Sequence, residues 1–177
     1  MSGHSTDILN QLQCLGVDPG VIVSRNLPAF QEADNLVVAD VSRSGRKHML
    51  VAATADAWQK MKSEAHGDDI SLIIVSAFRS VERQLELLRC KLEEGQSVDS
   101  IFTASAPPGY SEHHTGRAID IGTTGCPPLA SKFEDTAAFA WLLENAGEFG
   151  FKLSYPKGNE LGFCYEPWHW CHHPSTA

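Results

Sequence analysis

The most restrictive feature of this sequence is the stretch SEHHTGRAID, residues 111–120. It carries two good metal ligands, His113 and Asp120, seven positions apart with a glycine turn between them. Alternation after the glycine predicts a strand in which Ala118 and Asp120 share one face. An imidazole and a carboxylate on such a loop-to-strand element can approach one ion, and a third ligand must come from elsewhere in the chain.

The best candidate for that third ligand is His169, in the segment EPWH near the other end of the sequence. Catalytic zinc typically takes three protein ligands and leaves a fourth position for water, whose pKa it lowers from about 15.7 to about 7. His113, Asp120 and His169 would supply such a set. Glu166, three residues before His169, is predicted to take the proton from that water and pass it to a leaving amine.

A second group of polar residues follows an apolar run at residues 70–75, which predicts a strand that is central or covered on both faces. Arg79 stands at the end of this strand, and Gln84 falls on or beside the inward face of the helix that follows. An arginine facing the reacting carbonyl would stabilise its developing negative charge. The apolar stripe of that helix is Val81, Leu85, Leu88 and Leu92, with Ser80 as N-cap and Gly95 as terminator.

The remaining elements are predicted from apolar periodicity and from glycine and proline punctuation. Helices are expected at 7–15, from about 54 to 67, at 97–102 and at 136–146, the last with Leu143 on its apolar face; a turn is expected at 18–20. Strands 36–39 and 48–51 should form a hairpin, and 151–155 should pair with 162–169. Hairpin-like pairs favour an α+β fold with a largely antiparallel central sheet flanked by helices.

Length and charge narrow the classes of partner. A chain of 177 residues is most simply one domain. Its formal net charge of −8 argues against nucleic acid and anionic lipid, which favour a basic surface. No window is long and apolar enough to span a bilayer, and the first residues lack a basic region followed by an apolar one. The chain as written is therefore expected in the cytoplasm, or outside it by another route or after trimming.

Histidines and cysteines outside the proposed set are given simpler interpretations. His114 is interpreted as lying behind the ligands or on the surface, and His172 and His173 as a solvated tail. Five cysteines without a Cys-x-x-Cys pair favour reduced thiols, with Cys164 and Cys171 the first pair to examine for a disulfide.

Each site residue also has an ordinary structural explanation. Arg79 can form an ion pair or lie at a solvated strand end, and Gln84 can bond at a helix flank. Asp120 can cap a strand, and Glu166 can be a surface carboxylate. A single histidine is more often structural than a ligand, so only the joint pattern of residues carries the functional hypothesis.

The joint pattern resembles a known family. The motif Ser-x-His-x-x-Gly-x-Ala-x-Asp, preceded by Pro108 and Gly109, is similar to that of VanY-like D-alanyl-D-alanine carboxypeptidases, zinc peptidases grouped with lysostaphin and the hedgehog signalling domain. The segments FRS at 78–80 with Gln84, GF at 150–151, YPKG at 155–158 and EPWH at 166–169 resemble other segments of that family. The resemblance covers about 35–170 of a single 1–177 domain and leaves 1–34 as an N-terminal extension.

This resemblance implies an α+β hedgehog/D-Ala-D-Ala peptidase-like fold and one zinc ion on His113, Asp120 and His169. It implies Glu166 as general base and acid and Arg79 at the polarised carbonyl. The implied partner is a peptidoglycan stem peptide or D-Ala-D-Ala-containing precursor, cut before its terminal D-alanine. The residues implied around that substrate are Gln84, Ser111, Tyr155 and Trp168.

Two features depart from the family pattern. Ser154 stands where many relatives have arginine, and the sequence WCHHP after His169 interrupts a strand with which relatives continue. Two other activities share the same zinc and base placement: an L,D-carboxypeptidase, and an endolysin cutting between L-alanine and D-glutamate. A non-catalytic zinc-bearing binding module is a further alternative, which the presence of both Glu166 and Arg79 disfavours.

Overall fold

Two antiparallel sheets organise residues 3–174, the part of the chain that the computed structural model describes. The smaller sheet pairs β1 (Leu36–Val41) with β2 (Lys47–Val51), which confirms the predicted hairpin. The larger sheet has the order β3-β4-β6-β5. Its strands are β3 (Ile73–Ser76), β4 (Ala118–Gly122), β5 (Phe151–Leu153) and β6 (His169–His172). The predicted α+β class with antiparallel sheets is confirmed.

Six α-helices accompany the sheets in the described residues: α1 (Gly3–Cys14), α2 (Pro19–Ser24), α3 (Ala52–Gly67), α4 (Val81–Glu93), α5 (Val98–Ala104) and α6 (Ala137–Asn145). The turn predicted at 18–20 is wrong, because these residues begin α2. Asp18 caps this helix by accepting the N–H of Gly20 at 2.8 Å, and Pro19 suits its first position. Leu143 is also misassigned to the core, since it is 59% exposed on α6.

The apolar run at 70–75 is not a doubly covered strand. Its first residue, Ile70, closes the end of α3 by donating its N–H to the carbonyl of Ala65 at 2.8 Å. The strand therefore begins only at Ile73, which is 41% exposed, and β3 lies at an edge of the larger sheet. The apolar run located the region correctly. Apolar character alone did not distinguish Ile70, which closes the end of α3, from the residues of β3.

The strand predicted at 162–169 is displaced towards the C-terminus. Asn159 bonds the main chain of Phe163 through both its side-chain amide groups, which keeps this segment as a loop, and Pro167 has no N–H for a ladder. The strand is β6, which pairs with β5 and also with β4. His172 is therefore buried in β6, within 2.9 Å of the Thr54 hydroxyl, and only His173 is exposed as predicted.

Two main groups of apolar side chains pack the interior. The larger one joins both sheets with α3 and α6 around Trp58, Ile119 and Trp170. The second joins α1 and α2 with α4 and α5, so residues of the predicted N-terminal extension pack against the helix that follows Arg79. All five cysteines are free, as predicted, including Cys164 and Cys171. No helix in 3–174 has the length and apolar character needed to cross a membrane.

Candidate metal centre and active site

A row of four residues crosses the larger sheet. Asp120 on β4 is the register partner of Ser76 on β3 and of His169 on β6. Ser154, directly after β5, extends the row by donating its N–H to the carbonyl of His169 at 3.3 Å. Residues that pair directly across neighbouring strands lie side by side. The strand pairing therefore brings together four residues that are distant in sequence.

His113 reaches this row from the loop before β4. Ser111 caps the short 3₁₀ helix that contains His113, its hydroxyl accepting the N–H of His113 at 3.4 Å. Gly116 follows with φ of 64°, and its carbonyl accepts the N–H of Val51 at 3.0 Å. A Cβ on Gly116 would lie 2.9 Å from Leu36 Cδ2. Glycine is needed here both for the left-handed turn and for the close packing of the smaller sheet.

The three predicted ligands converge. One nitrogen or oxygen atom from each of His113, Asp120 and His169 lies within 4.8 Å of the others, and all three side chains are buried. His113 Nε2 is 3.3 Å from one carboxylate oxygen of Asp120, and His169 Nδ1 is 3.0 Å from the other. Two imidazoles and one carboxylate form a donor set typical of catalytic zinc. The side chains therefore fit a zinc ion.

The charges of this group also favour a cation. Burial opposes ionisation of Asp120, but the two neighbouring imidazoles outweigh it and hold the pKa of the carboxyl below its usual range. Burial lowers the pKa of His113. Burial acts the same way on His169, but hydrogen bonds to Asp120 and Glu112 outweigh it and raise the pKa of this imidazole to about 10. The site thus stabilises positive charge between its carboxylates.

Glu166 lies beside the three converging side chains without joining them. One of its carboxylate oxygens is 3.8 Å from His169 Nδ1, which is beyond hydrogen-bond distance. Its main chain is fixed by bonds of 3.1 Å to the carbonyl of Tyr155 and from the N–H of His169. Burial raises the pKa of Glu166 to about 7. A carboxyl that titrates near neutrality is suited to accept and return a proton.

Arg79 approaches the same region from the end of β3. Its guanidinium donates to Gln84 Oε1 at 2.9 Å and to the Ser76 hydroxyl at 3.1 Å. Burial lowers the pKa of Arg79, while the charges of Asp120 and Glu166 act against that shift. The charges of both carboxylates therefore act on the arginine, yet its side-chain hydrogen bonds are to neutral groups.

Gln84 lies on the inward face of α4, as the apolar periodicity predicted, and is 2% exposed. Its side-chain nitrogen donates to the Ser105 hydroxyl at 3.0 Å and to the carbonyl of Ala106 at 2.7 Å. Its oxygen accepts from Arg79. The polar atoms of Gln84 are thus engaged within the protein, and the amide holds Arg79 to the segment that leads into the histidine loop.

Sequence reasoning assigned no role to Glu112, although this residue contacts a predicted ligand. Its Oε2 lies 2.9 Å from His169 Nε2 and accepts the hydroxyl of Ser154 at 2.6 Å. Hydrogen bonds to His169 and Ser154 outweigh burial and lower the pKa of Glu112. The sequence offers no local signal for this contact, because His169 and Ser154 are 57 and 42 positions away.

The other predicted site residues surround this group at different depths. Tyr155 is buried with its ring centroid 4.7 Å from that of His169, and Trp168 is partly buried against the main core. Ser111 is buried as the cap described above. His114, predicted behind the ligands or on the surface, is fully buried: its Nδ1 lies 2.6 Å from the carbonyl of Arg79 and its Nε2 accepts the N–H of Gly109.

The chain resembles a known protein family and its members. Residues 47–175 match the VanY family model, described as D-alanyl-D-alanine carboxypeptidase. A putative carboxypeptidase, YodJ of Bacillus subtilis, is 33% identical over 153 residues, which cover 81% of this chain. The matched region spans only 55% of YodJ, so the chain corresponds to about half of that relative.

The similarity to solved structures extends over most of the chain. The LdcB LD-carboxypeptidase superposes with a TM-score of 0.72 at 33% identity, covering 82% of this chain and 71% of that protein. A variant of the D,D-pentapeptidase VanY from the VanB-type resistance cassette, in complex with Zn(II), superposes with a TM-score of 0.65 at 27% identity. That match covers 84% of this chain and 83% of the VanY chain.

Proposed function

Because the chain belongs to the VanY family of D-alanyl-D-alanine carboxypeptidases, we propose that it is a zinc-dependent carboxypeptidase that removes the terminal D-alanine from peptidoglycan stem peptides or their precursors. The observation that carries this proposal is the convergence of His113, Asp120 and His169 within 4.8 Å, with Glu166 beside them. The Zn(II) complex of a VanY relative supports the choice of metal.

The ligands proposed for a single zinc ion are the two imidazoles and the carboxylate. When bound, zinc lowers the pKa of water and so supplies a nucleophile near neutral pH. Glu166 accepts the proton of the attacking water and returns it to the amine of the departing D-alanine. Its burial and its separation of 3.8 Å from His169 Nδ1 suit this role, because a carboxylate that is not a ligand remains free to exchange protons.

Arg79 is proposed to stabilise the negative charge that develops on the scissile carbonyl oxygen. A guanidinium held by Gln84 and Ser76 is already oriented before substrate binds, which lowers the reorganisation cost of the reaction. Ser111, Tyr155 and Trp168 are proposed to line the substrate site, and Gln84 to act there through Arg79.

The second candidate is an L,D-carboxypeptidase, which the similarity to LdcB favours. The two activities share zinc and base but differ in the residue that precedes the scissile bond. A D,D-enzyme converts a pentapeptide stem to a tetrapeptide, and an L,D-enzyme converts a tetrapeptide to a tripeptide.

The test is mass spectrometry of defined pentapeptide and tetrapeptide stems incubated with the zinc-loaded protein. Loss of one alanine from the pentapeptide is expected. Loss from the tetrapeptide alone would favour the L,D-activity, and internal cleavage between L-alanine and D-glutamate would indicate an endopeptidase. Glu166→Ala should keep bound zinc but abolish product formation, whereas cleavage at the parent's rate by that variant would contradict the mechanism.

We also propose that residues 1–34 belong to the same domain as the family core. Leu12, Val17 and Ile22 pack with the apolar face of α4, and the N–H of Ala33 donates to the carbonyl of His114 at 2.8 Å. A single cooperative unfolding transition in which α1, α2 and the larger sheet lose protection from hydrogen exchange together would be expected. Separate transitions for the two regions would contradict a single domain.

A further inference from the structure

His169 has a carboxylate at each of its ring nitrogens. Its Nδ1 lies 3.0 Å from Asp120, within the converging set, and its Nε2 lies 2.9 Å from Glu112. His113 is different, because its Nε2 faces Asp120 while its Nδ1 has no hydrogen-bond partner within residues 3–174. The two proposed histidine ligands are therefore supported in different ways.

The chemistry of imidazole gives this difference a meaning. A neutral imidazole has one nitrogen with a free lone pair and one that carries a proton, so binding a metal through one nitrogen requires the proton on the other. Since Nδ1 of His169 faces Asp120 and the converging set, a metal bound there would replace the Nδ1 proton, and Nε2 would keep its own. Glu112 is then the acceptor of that N–H, and the bond determines which nitrogen is available to a metal.

Glu112 is itself held in place. It lies next to His113 in the 3₁₀ helix, its side chain is only 16% exposed, and its Oε2 accepts the Ser154 hydroxyl at 2.6 Å. Ser154 also donates its main-chain N–H to the carbonyl of His169. The sheet row therefore positions both His169 and Ser154. Ser154 in turn orients Glu112, the carboxylate partner of His169.

Glu112 is not placed to be a ligand. It meets the ring of His169 at the nitrogen that points away from Asp120, and it is not among the side chains whose ligand atoms converge. A metal between His113, Asp120 and His169 Nδ1 would have the imidazole of His169 between itself and Glu112.

We infer that Glu112, held by Ser154, is a positioning residue that fixes His169 in the Nε2-protonated tautomer and so presents Nδ1 to the metal. This inference rests on the zinc site of the proposed function. It extends that site by two residues outside the converging ligand set.

The first test is the zinc affinity of the full chain, measured by competition with a chromophoric chelator. Glu112→Ala should weaken zinc binding about 10- to 100-fold, the usual effect of losing such a partner. The loss of zinc affinity should be smaller in Glu112→Gln, because the amide oxygen still accepts the Nε2–H of His169. Ser154→Ala should also lose less than Glu112→Ala, because the carboxylate remains. Unchanged affinity in a folded Glu112→Ala variant would overturn the inference.

Asp40→Asn is the matched control for these variants. Asp40 is a half-buried carboxylate that accepts hydrogen bonds from Trp58 and Lys62, far along the chain from the ligands. The zinc affinity of the Asp40→Asn variant should equal that of the parent protein. A loss equal to that of Glu112→Ala would show that removing any partly buried carboxylate weakens zinc, and would overturn a specific role for Glu112.

The second test needs no variant. The parent protein, labelled with ¹⁵N-histidine and loaded with ¹¹³Cd, should show metal coupling to Nδ1 of His169 and a proton on its Nε2. Coupling to Nε2 would overturn the role of Glu112 while leaving a metal site intact. A parent that binds neither zinc nor cadmium would instead overturn the proposed function, which separates the two failures.

Discussion

The two sides of the site are positioned by different kinds of interaction. On the metal side, defined as His113, Asp120 and His169, main-chain pairing sets the geometry, because Asp120 and His169 are register partners on β4 and β6. On the arginine side, defined as Arg79 with Gln84 and Ser76, side-chain hydrogen bonds orient the guanidinium. The two sides are joined by the strand pairing of Ser76 with Asp120 and by a main-chain bond of 3.2 Å from the N–H of Arg79 to the carbonyl of His113.

This difference indicates how each side should respond to substitution. Sheet register is maintained by many bonds and by the core, so it tolerates the loss of one side chain and the remaining ligands stay in place. A guanidinium held by two side chains loses part of its orientation when either partner is replaced. Each prediction below addresses one side and leaves the other as its internal reference.

The largest effect is expected for Asp120→Ala on the metal side. Removing the central carboxylate takes away one proposed ligand and the partner of both imidazoles, so zinc should be lost at micromolar protein and hydrolysis should fall below detection. Metal content and turnover measure this directly, with the exposed Asp56→Asn as control. Retention of one zinc per chain with normal turnover would remove Asp120 from the ligand set.

Arg79→Ala should come next. Loss of a preorganised donor to the carbonyl oxygen typically costs about 2.7–4 kcal/mol of transition-state stabilisation, or about 100- to 1,000-fold in kcat. Zinc content should be unchanged, because the metal side does not depend on Arg79 for its register. A variant with parental kcat and a raised KM would show that Arg79 only binds substrate.

Gly116→Ala should act on stability rather than on chemistry. The residue has φ of 64° and its new Cβ would meet Leu36 at 2.9 Å. The left-handed conformation and the contact together should lower the free energy of unfolding by about 2–4 kcal/mol. Gly125→Ala is the matched control, since it has φ of 83° with no atom near its Cβ and should lose only about 1–2 kcal/mol in a thermal melt. Equal losses would mean that packing of β1 and β2 on the loop contributes nothing.

The smallest effect is expected for Gln84→Leu on the arginine side. Arg79 would keep Ser76 but lose one acceptor, worth about 1 kcal/mol, so kcat should fall about five-fold with KM little changed. Steady-state kinetics on a defined stem peptide separate the two parameters. If KM alone rises, Gln84 contacts substrate directly, as the family resemblance implies.

The approach of His113 to Asp120 was predictable from the sequence because its constraints are local. His113, Gly116 and Asp120 lie within eight residues of one another, and the glycine between the ligands has a clear steric reason. The inward position of Gln84 was likewise predicted, since helix periodicity is local. The α+β class followed from the hairpin-like pattern, and β1 and β2 formed the predicted pair.

The contacts that were missed depend on strand register and on loops. Glu112 stands at a position that the motif Ser-x-His-x-x-Gly-x-Ala-x-Asp leaves unspecified, and its partners His169 and Ser154 become neighbours only through the sheet. The strand predicted at 162–169 failed because Asn159 stabilises a loop and β6 begins at His169. The burial of His172 was missed for the same reason. The sequence assigned this residue to a solvated tail, but it is the last residue of β6, which lies between β4 and β5.

The position of β6 has a consequence for assembly of the protein. This strand follows the others along the chain, yet it lies between β4 and β5. Within the described sheet, β6 is the only pairing partner of β5 and the second partner of β4, which also pairs with β3. During synthesis, β5 and one edge of β4 must therefore remain unpaired until residues 169–172 leave the ribosome. The proposed metal-binding centre then forms when β6 completes the sheet, so partly synthesised chains hold two of the three proposed ligands and should be inactive.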